Sequence, residues 1–114
     1  MPVTQMNKVY LTQGNTQTIA LNGLQTTDQF GNVSFLDAAS LTASLYDDQG
    51  NPVAGLVNVT LTYVPASNGN YTCTFGDDTF VPPEGTGYSL VITGNQNLSY
   101  IRLEIPVEVI ARVF

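Results

Sequence analysis

Carboxylates are the residues best placed to do chemistry, because the chain carries nine Asp and Glu, no His and a single Cys. Asp47-Asp48 and Asp77-Asp78 are its adjacent acidic pairs. Two such pairs on loops at one end of a β-domain would supply oxygens for calcium, which takes about six to eight of them. The competing reading is that an Asp in a turn accepts hydrogen bonds from its own backbone. Asp47-Asp48 sits in a turn, and Asp77-Asp78 lacks the regular Asp/Asn spacing of a calcium loop, so the turn reading is preferred and no metal or cofactor is expected. Asp47, Asp48, Asp77 and Asp78 remain the calcium candidates. General acid–base catalysis would need carboxylates in unlike environments and a group to position substrate between them. No His, no Ser in an elbow motif and no basic clamp accompanies the acids, so an enzyme is not expected. Cys73 alternates with Tyr71 and Phe75, which puts its thiol on an inner face as a small hydrophobe.

The elements that must position these groups read as strands. Ile101, Leu103, Ile105, Val107 and Val109 alternate with Arg102, Glu104, Pro106 and Glu108 along Ser99 to Val113, the signature of a long strand with one buried face. Val9 with Leu11, Ile19 with Leu21, Leu41 with Ala43 and Leu45, Val57 with Val59 and Leu61, and Tyr71 with Cys73 and Phe75 repeat the pattern. Gly14, Gly23, Gly31, Gly50, Gly69, Gly85, Gly87 and Gly94 punctuate these runs. Strands are placed at Lys8 to Thr12, Thr16 to Asn22, Val33 to Leu36, Leu41 to Tyr46, Val57 to Val64, Tyr71 to Phe75, Tyr88 to Thr93 and Ser99 to Val113. Asp28 to Asn32 and Asp47 to Asn51 each set an Asp ahead of a Gly-Asn pair, as in a type I turn that closes on a left-handed glycine. Asp77 to Gly87, with Pro82 and Pro83, reads as a loop, and Asp37 to Ser40 as the sole candidate for a helical turn. The expected fold is an all-β, antiparallel sandwich of seven or eight strands in one domain spanning residues 1–114, with residues 1–7 as a flexible or docking arm. A jelly roll would show the same alternation.

Composition narrows the partners. A formal charge of −6 and a pI near 4.1 argue against nucleic acid and against an anionic membrane surface. No apolar run approaches the roughly eighteen residues a spanning helix needs. Met1-Pro2-Val3-Thr4 lacks the basic start and apolar stretch of an export signal. Charged residues make up only 11% of the chain, and Thr, Asn, Gln and Ser take their place. Such a neutral surface desolvates at lower cost than a charged one and suits multicopy packing. Asn32, Asn58, Asn70 and Asn97 each open an Asn-x-Ser/Thr triplet, a frequent chance match in a chain of this composition.

Two resemblances sharpen the fold. Ser67-Asn68-Gly69-Asn70-Tyr71-Thr72-Cys73 resembles the immunoglobulin-type tyrosine corner, in which Tyr-x-Cys follows a glycine turn and the tyrosine hydroxyl ties back to an upstream backbone group. Tyr71 and Cys73 take the tyrosine and second-cysteine positions; the first cysteine and the core tryptophan are absent, which makes the chain immunoglobulin-like at most. Lys8 to Thr16 leading to Ile19, Leu41 to Asp47, Gly50-Asn51-Pro52-Val53, Gly69-Asn70-Tyr71 and Gly87 to Ile92 are similar in rhythm to small immunoglobulin-like modules of tailed-bacteriophage virions. That resemblance implies a non-enzymatic virion protein, assembled in the host cytoplasm, that decorates and stabilises a capsid by binding capsid subunits or its own copies, or else serves as a tail or baseplate attachment module. The rival class is a carbohydrate-binding or adhesive domain of a surface protein, which the absence of Trp disfavours.

For a protein-binding module the interface candidates are few. Pro106 cannot donate to a ladder and places the last strand at a sheet edge or a bulge, where Arg102, Glu104 and Glu108 either protect that edge or dock on another subunit. Ile110 and Phe114 belong to an apolar chain end that needs a cover. Phe30, Phe80 and Tyr88 are loop aromatics, packed under their own loops or, where exposed, available as anchors.

Overall fold

The structure is a computed structural model that describes residues 9–27, 29–77, 79–96 and 99–111. The 1–7 arm, Asp78, Asn97 and Phe114 lie outside the described residues. Among the described residues nine strands follow in order: β1 (Val9–Thr12), β2 (Gln17–Leu21), β3 (Gln25–Thr27), β4 (Val33–Phe35), β5 (Ser40–Tyr46), β6 (Val59–Tyr63), β7 (Tyr71–Phe75), β8 (Gly85–Gln96) and β9 (Ser99–Ile110). Seven of them form one sheet in the order β1-β9-β8-β5-β6-β7-β2, and β3 with β4 forms a separate hairpin. The fold is all-β, with no helix among the described residues.

The turn from one layer to the other happens within β6. Val59 to Leu61 pair with Ala43 to Leu41 of β5, whereas Thr62 and Tyr63 pair with Thr72 and Tyr71 of β7. A single strand thus serves two ladders, and its inward residue at the switch, Leu61, is buried. The inward rows meet in one core: Ile19, Leu21, Tyr71, Cys73 and Phe75 from β2 and β7 join Leu41, Ala43, Leu45, Leu90, Ile92, Ile101, Leu103 and Ile105 from β5, β8 and β9. The sheet is almost closed, since β1 and β2, its two end strands, are consecutive in the chain. The Gln17 carboxamide spans the gap: it accepts from the Thr12 N–H at 2.6 Å and donates to the Thr12 carbonyl at 2.9 Å. This plugs the outer edge of β1 with a side chain where a strand would otherwise add.

One pairing departs from the antiparallel expectation. β1 lies parallel to β9, Val9 opposite Val107 through Thr12 opposite Ile110, so the sheet is mixed. Period-two alternation sets the buried face of a strand and is indifferent to the direction of its neighbour. Gly85 to Gly87, expected in a loop, begin β8 with a register shift between Gly85 and Tyr88, because φ values of 153° and 92° at the glycines allow a bulge that keeps the strand paired. Asp37 to Ser40 is no helical turn. Its N–H groups go to tertiary partners: Ala38 to Gln96 Oε1 at 2.8 Å and Ala39 to the Tyr71 hydroxyl at 2.9 Å. Val57, expected to face inward, is exposed and precedes β6.

Candidate functional site

The tyrosine corner is a structural anchor, and it shows how the chain fixes its loops. Tyr71 is fully buried; its hydroxyl donates to the Leu36 carbonyl and accepts from the Ala39 N–H. Burial, followed by the nearby Asp37 and Tyr63, pushes its pKa above the ordinary tyrosine value despite the Ala39 N–H. The turn before it needs glycine: Gly69 has φ +72°, and a Cβ there would run into the Leu24 backbone. The Gly69 N–H donates to Asp37 Oδ1 at 2.7 Å and its carbonyl accepts from Leu24 N–H at 2.8 Å. Cys73, in the same inner row, is buried with its pKa raised by desolvation, the opposite of what a nucleophile requires.

The acidic residues divide along the same lines. Asp47 Oδ1 accepts from the N–H groups of Gln49 and Asn51, both at 2.9 Å, and the Gly50 N–H closes the turn on the Asp47 carbonyl at 3.0 Å. Asp77 Oδ1 accepts the Thr79 hydroxyl at 2.6 Å and its N–H at 2.8 Å, which hold its carboxyl below the usual carboxylate range. Each carboxylate is thus occupied by its own turn. Among the described residues no group of three or more metal-ligating side chains converges. Asp48 lines a cleft with Asp47, Glu84 and Tyr88.

The loop aromatics separate cleanly. Phe80 is 5% exposed and packs edge-on against Phe75 with ring centroids 5.5 Å apart, and Tyr88 is 8% exposed with its hydroxyl donating to the Pro83 carbonyl at 2.6 Å. Neither presents its ring to a partner: the loop from Asp77 folds Phe80 over the core, and Tyr88 is an inward residue of β8 opposite Val107. Burial and then Asp47 and Asp48 raise the Tyr88 pKa. Phe30 is 79% exposed at the tip of the β3–β4 hairpin, and Val33 and Phe35, on one face of β4, are exposed as well. All three belong to the β3–β4 hairpin, of which sequence inspection singled out Phe30.

The remaining candidates collect on the outer face of the β6-β5-β8-β9 layer. Cross-strand register aligns Thr60, Thr42, Thr93 and Arg102 in one row, and Ser40, Asn95 and Tyr100 in the next. An open cleft of about 540 Å³ runs over Thr42, Thr60, Thr93, Asn95 and Tyr100. Tyr100 is 70% exposed at its rim. Beside it Arg102 Nη1 donates to Glu104 Oε2 at 3.2 Å, both side chains about half exposed, and a second cleft of about 410 Å³ lies over this pair, Tyr46 and Val91. Glu108 is half-buried on the same strand, and Ile110 is exposed at its end. The sequence singled out Arg102 and Glu104; Thr42, Thr60, Thr93 and Tyr100 emerge only from register, since polar residues scattered over three strands carry no local signal.

The edge of β9 changes along its length. From Val107 to Ile110 it is covered by β1. From Ser99 to Pro106, among the described residues, β9 pairs on one side only, with β8. The Gln13 N–H donates to the Ile110 carbonyl at 3.0 Å, which fixes the even-numbered residues of β9 as those whose backbone groups point away from β8. Pro106 is one of these, so its missing N–H takes nothing from the β8 ladder.

No family model matches the chain, nor does any curated protein or solved structure.

Proposed function

We propose that the chain is a non-enzymatic structural module that acts by binding protein, and that it serves as a capsid-decoration subunit of a tailed-phage virion, assembled in the host cytoplasm. One observation carries the protein-binding reading: exposed groups able to recognise a partner sit on sheet surface, the Tyr100, Arg102 and Glu104 strip of β9, and on the β3–β4 hairpin, Phe30, Val33 and Phe35. A rigid sheet with a neutral polar face and a preformed strip loses little conformational entropy on docking, and repetition over a particle multiplies a modest contact. The virion assignment rests on the resemblance in turn and strand rhythm to phage modules. A tail or baseplate location fits the same surface.

The test is quantitative mass spectrometry of purified particles from a lysate in which the chain is expressed with its neighbouring genes. A fixed copy ratio to the major capsid protein supports decoration, and a fixed ratio to tail proteins moves the site to the tail. Free protein with none on particles overturns the reading. The second reading, a carbohydrate-binding domain, is favoured by the cleft in which Tyr100 borders the hydroxyls of Thr42, Thr60 and Thr93. Saturable binding of the full chain to a defined glycan, lost in Tyr100→Ala, would replace the first reading with this one.

A further inference from the structure

We propose that Asn22 is a site of spontaneous deamidation in the folded chain, and that Asn68, which stands in the same dipeptide, is held unreactive by the tyrosine corner. The chain contains two Asn-Gly steps, Asn22-Gly23 and Asn68-Gly69, and both asparagines are exposed. Glycine in the second place is the permissive case, since no side chain keeps its backbone nitrogen from the preceding carboxamide. The reaction needs only water and base. Base takes the glycine N–H proton, the nitrogen bonds to the asparagine Cγ, and the Cγ–Nδ2 bond breaks to release ammonia, leaving a five-membered succinimide. Water then opens the ring at either carbonyl, giving aspartate or, with the main chain rerouted through Cγ, isoaspartate. One water is consumed, one ammonia is lost, and an amide has become a carboxylate.

The two steps differ in what holds the attacking nitrogen. They lie side by side, because the Leu24 N–H donates to the Gly69 carbonyl at 2.8 Å. The Gly69 N–H donates to Asp37 Oδ1 at 2.7 Å, and Gly69 is buried. A deprotonated nitrogen there would face a carboxylate and lack solvent, and both raise the cost of removing its proton. Nor has Gly69 room to shift, since the Leu24 backbone occupies the place of its missing Cβ. The Gly23 N–H donates instead to the neutral carboxamide of Asn70, at Oδ1 and 2.8 Å. Gly23 is half-buried, with open space beside its α-carbon. A neutral acceptor holds an N–H less firmly than a charged one. One dipeptide is thus reactive in one setting and closed in the other.

The product at Asn22 bears on the β3–β4 hairpin. Isoaspartate adds a methylene to the main chain between Leu21, the last residue of β2, and Leu24. Leu24 is fully buried, and its N–H and carbonyl tie the hairpin base to the Gly69 carbonyl and the Leu36 N–H. The added length therefore falls at the root of the segment that carries Phe30, Val33 and Phe35. Either product adds one negative charge to the formal −6.

Peptide mapping of the full chain, incubated in mildly alkaline buffer with and without urea, tests this. In urea the two sites convert at similar rates, because the fold no longer distinguishes them. In native buffer Asn22 converts, with isoaspartate among its products, and Asn68 lags by about tenfold or more, the factor that a charged hydrogen bond is worth over a neutral one. Asp37→Asn keeps an oxygen for the Gly69 N–H while removing the charge, and raises conversion at Asn68 but not at Asn22. Native rates that keep the ratio found in urea overturn the proposal, as does an Asn22 that stays intact in native buffer while the unfolded chain converts. So does an Asp37→Asn chain of wild-type urea midpoint in which Asn68 remains as slow as before.

Discussion

The two halves of β9 share one alternating pattern and differ in what borders them. Ile101, Leu103 and Ile105, in the half that among the described residues is open beyond β8, are as buried as Val107 and Val109 in the half sealed by β1, so both halves contribute to the core. Their outward groups differ: Glu108 is half-buried beside the covering strand, whereas Arg102 and Glu104 are about half exposed and bonded to each other. Face and edge are therefore independent properties of a strand. Apolar alternation stabilises the face and is indifferent to what borders the edge.

If the faces are equivalent, truncating either should hurt equally. Leu103→Ala in the open half and Leu11→Ala on the covering strand each lose about 2–5 kcal/mol in urea unfolding, the range for large-to-small changes in a packed core. A near-neutral Leu103→Ala would show that the open half is loosely packed and break the comparison. The tyrosine corner should be the next most sensitive point. Tyr71→Phe leaves the Leu36 carbonyl and the Ala39 N–H without their partner and costs about 1–3 kcal/mol. Because the folded-state pKa of Tyr71 is raised, the neutral form is favoured by folding. Its contribution is complete below about pH 10 and is lost as the pH rises through the higher folded value, a decline that is smaller in Tyr71→Phe. The smallest effect belongs to the sealed edge. Gln17→Ala frees the Thr12 N–H and carbonyl and costs about 1 kcal/mol, read as faster hydrogen exchange at Thr12 before any change in the unfolding midpoint.

Much of this was legible in the residues themselves. The alternation from Ser99 onward defines β9 and its buried row, Tyr71 to Phe75 matches β7 at both ends, and Gly69-Asn70-Tyr71 announces a corner whose hydroxyl does bond upstream backbone. Strand β3 went unseen because Gln25, Thr26 and Thr27 bury no apolar row; the hairpin is held instead by its ladder to β4 and by the Leu36 N–H on the Leu24 carbonyl at 2.9 Å. The parallel partner of β9 was invisible because Val9 and Leu11 alternate in the same way whichever strand they join. Of the three loop aromatics, Phe80 and Tyr88 take the packed alternative and Phe30 the exposed one, a division that composition alone does not reveal. Gly94 has a meaning only the register supplies: a Cβ there would collide with the Ser40 backbone of β5, so the glycine lets β8 pass close to it.

The reading of the chain as a protein-binding module is tested most directly by particle association of the variant Tyr100→Ala/Arg102→Ala, which alters only exposed side chains on the outer face of β9. Wild type co-sediments with purified particles at a fixed ratio, and the variant, with an unchanged urea midpoint, is lost from them. Retention of the variant at the wild-type ratio, or no association of the wild type, would contradict it.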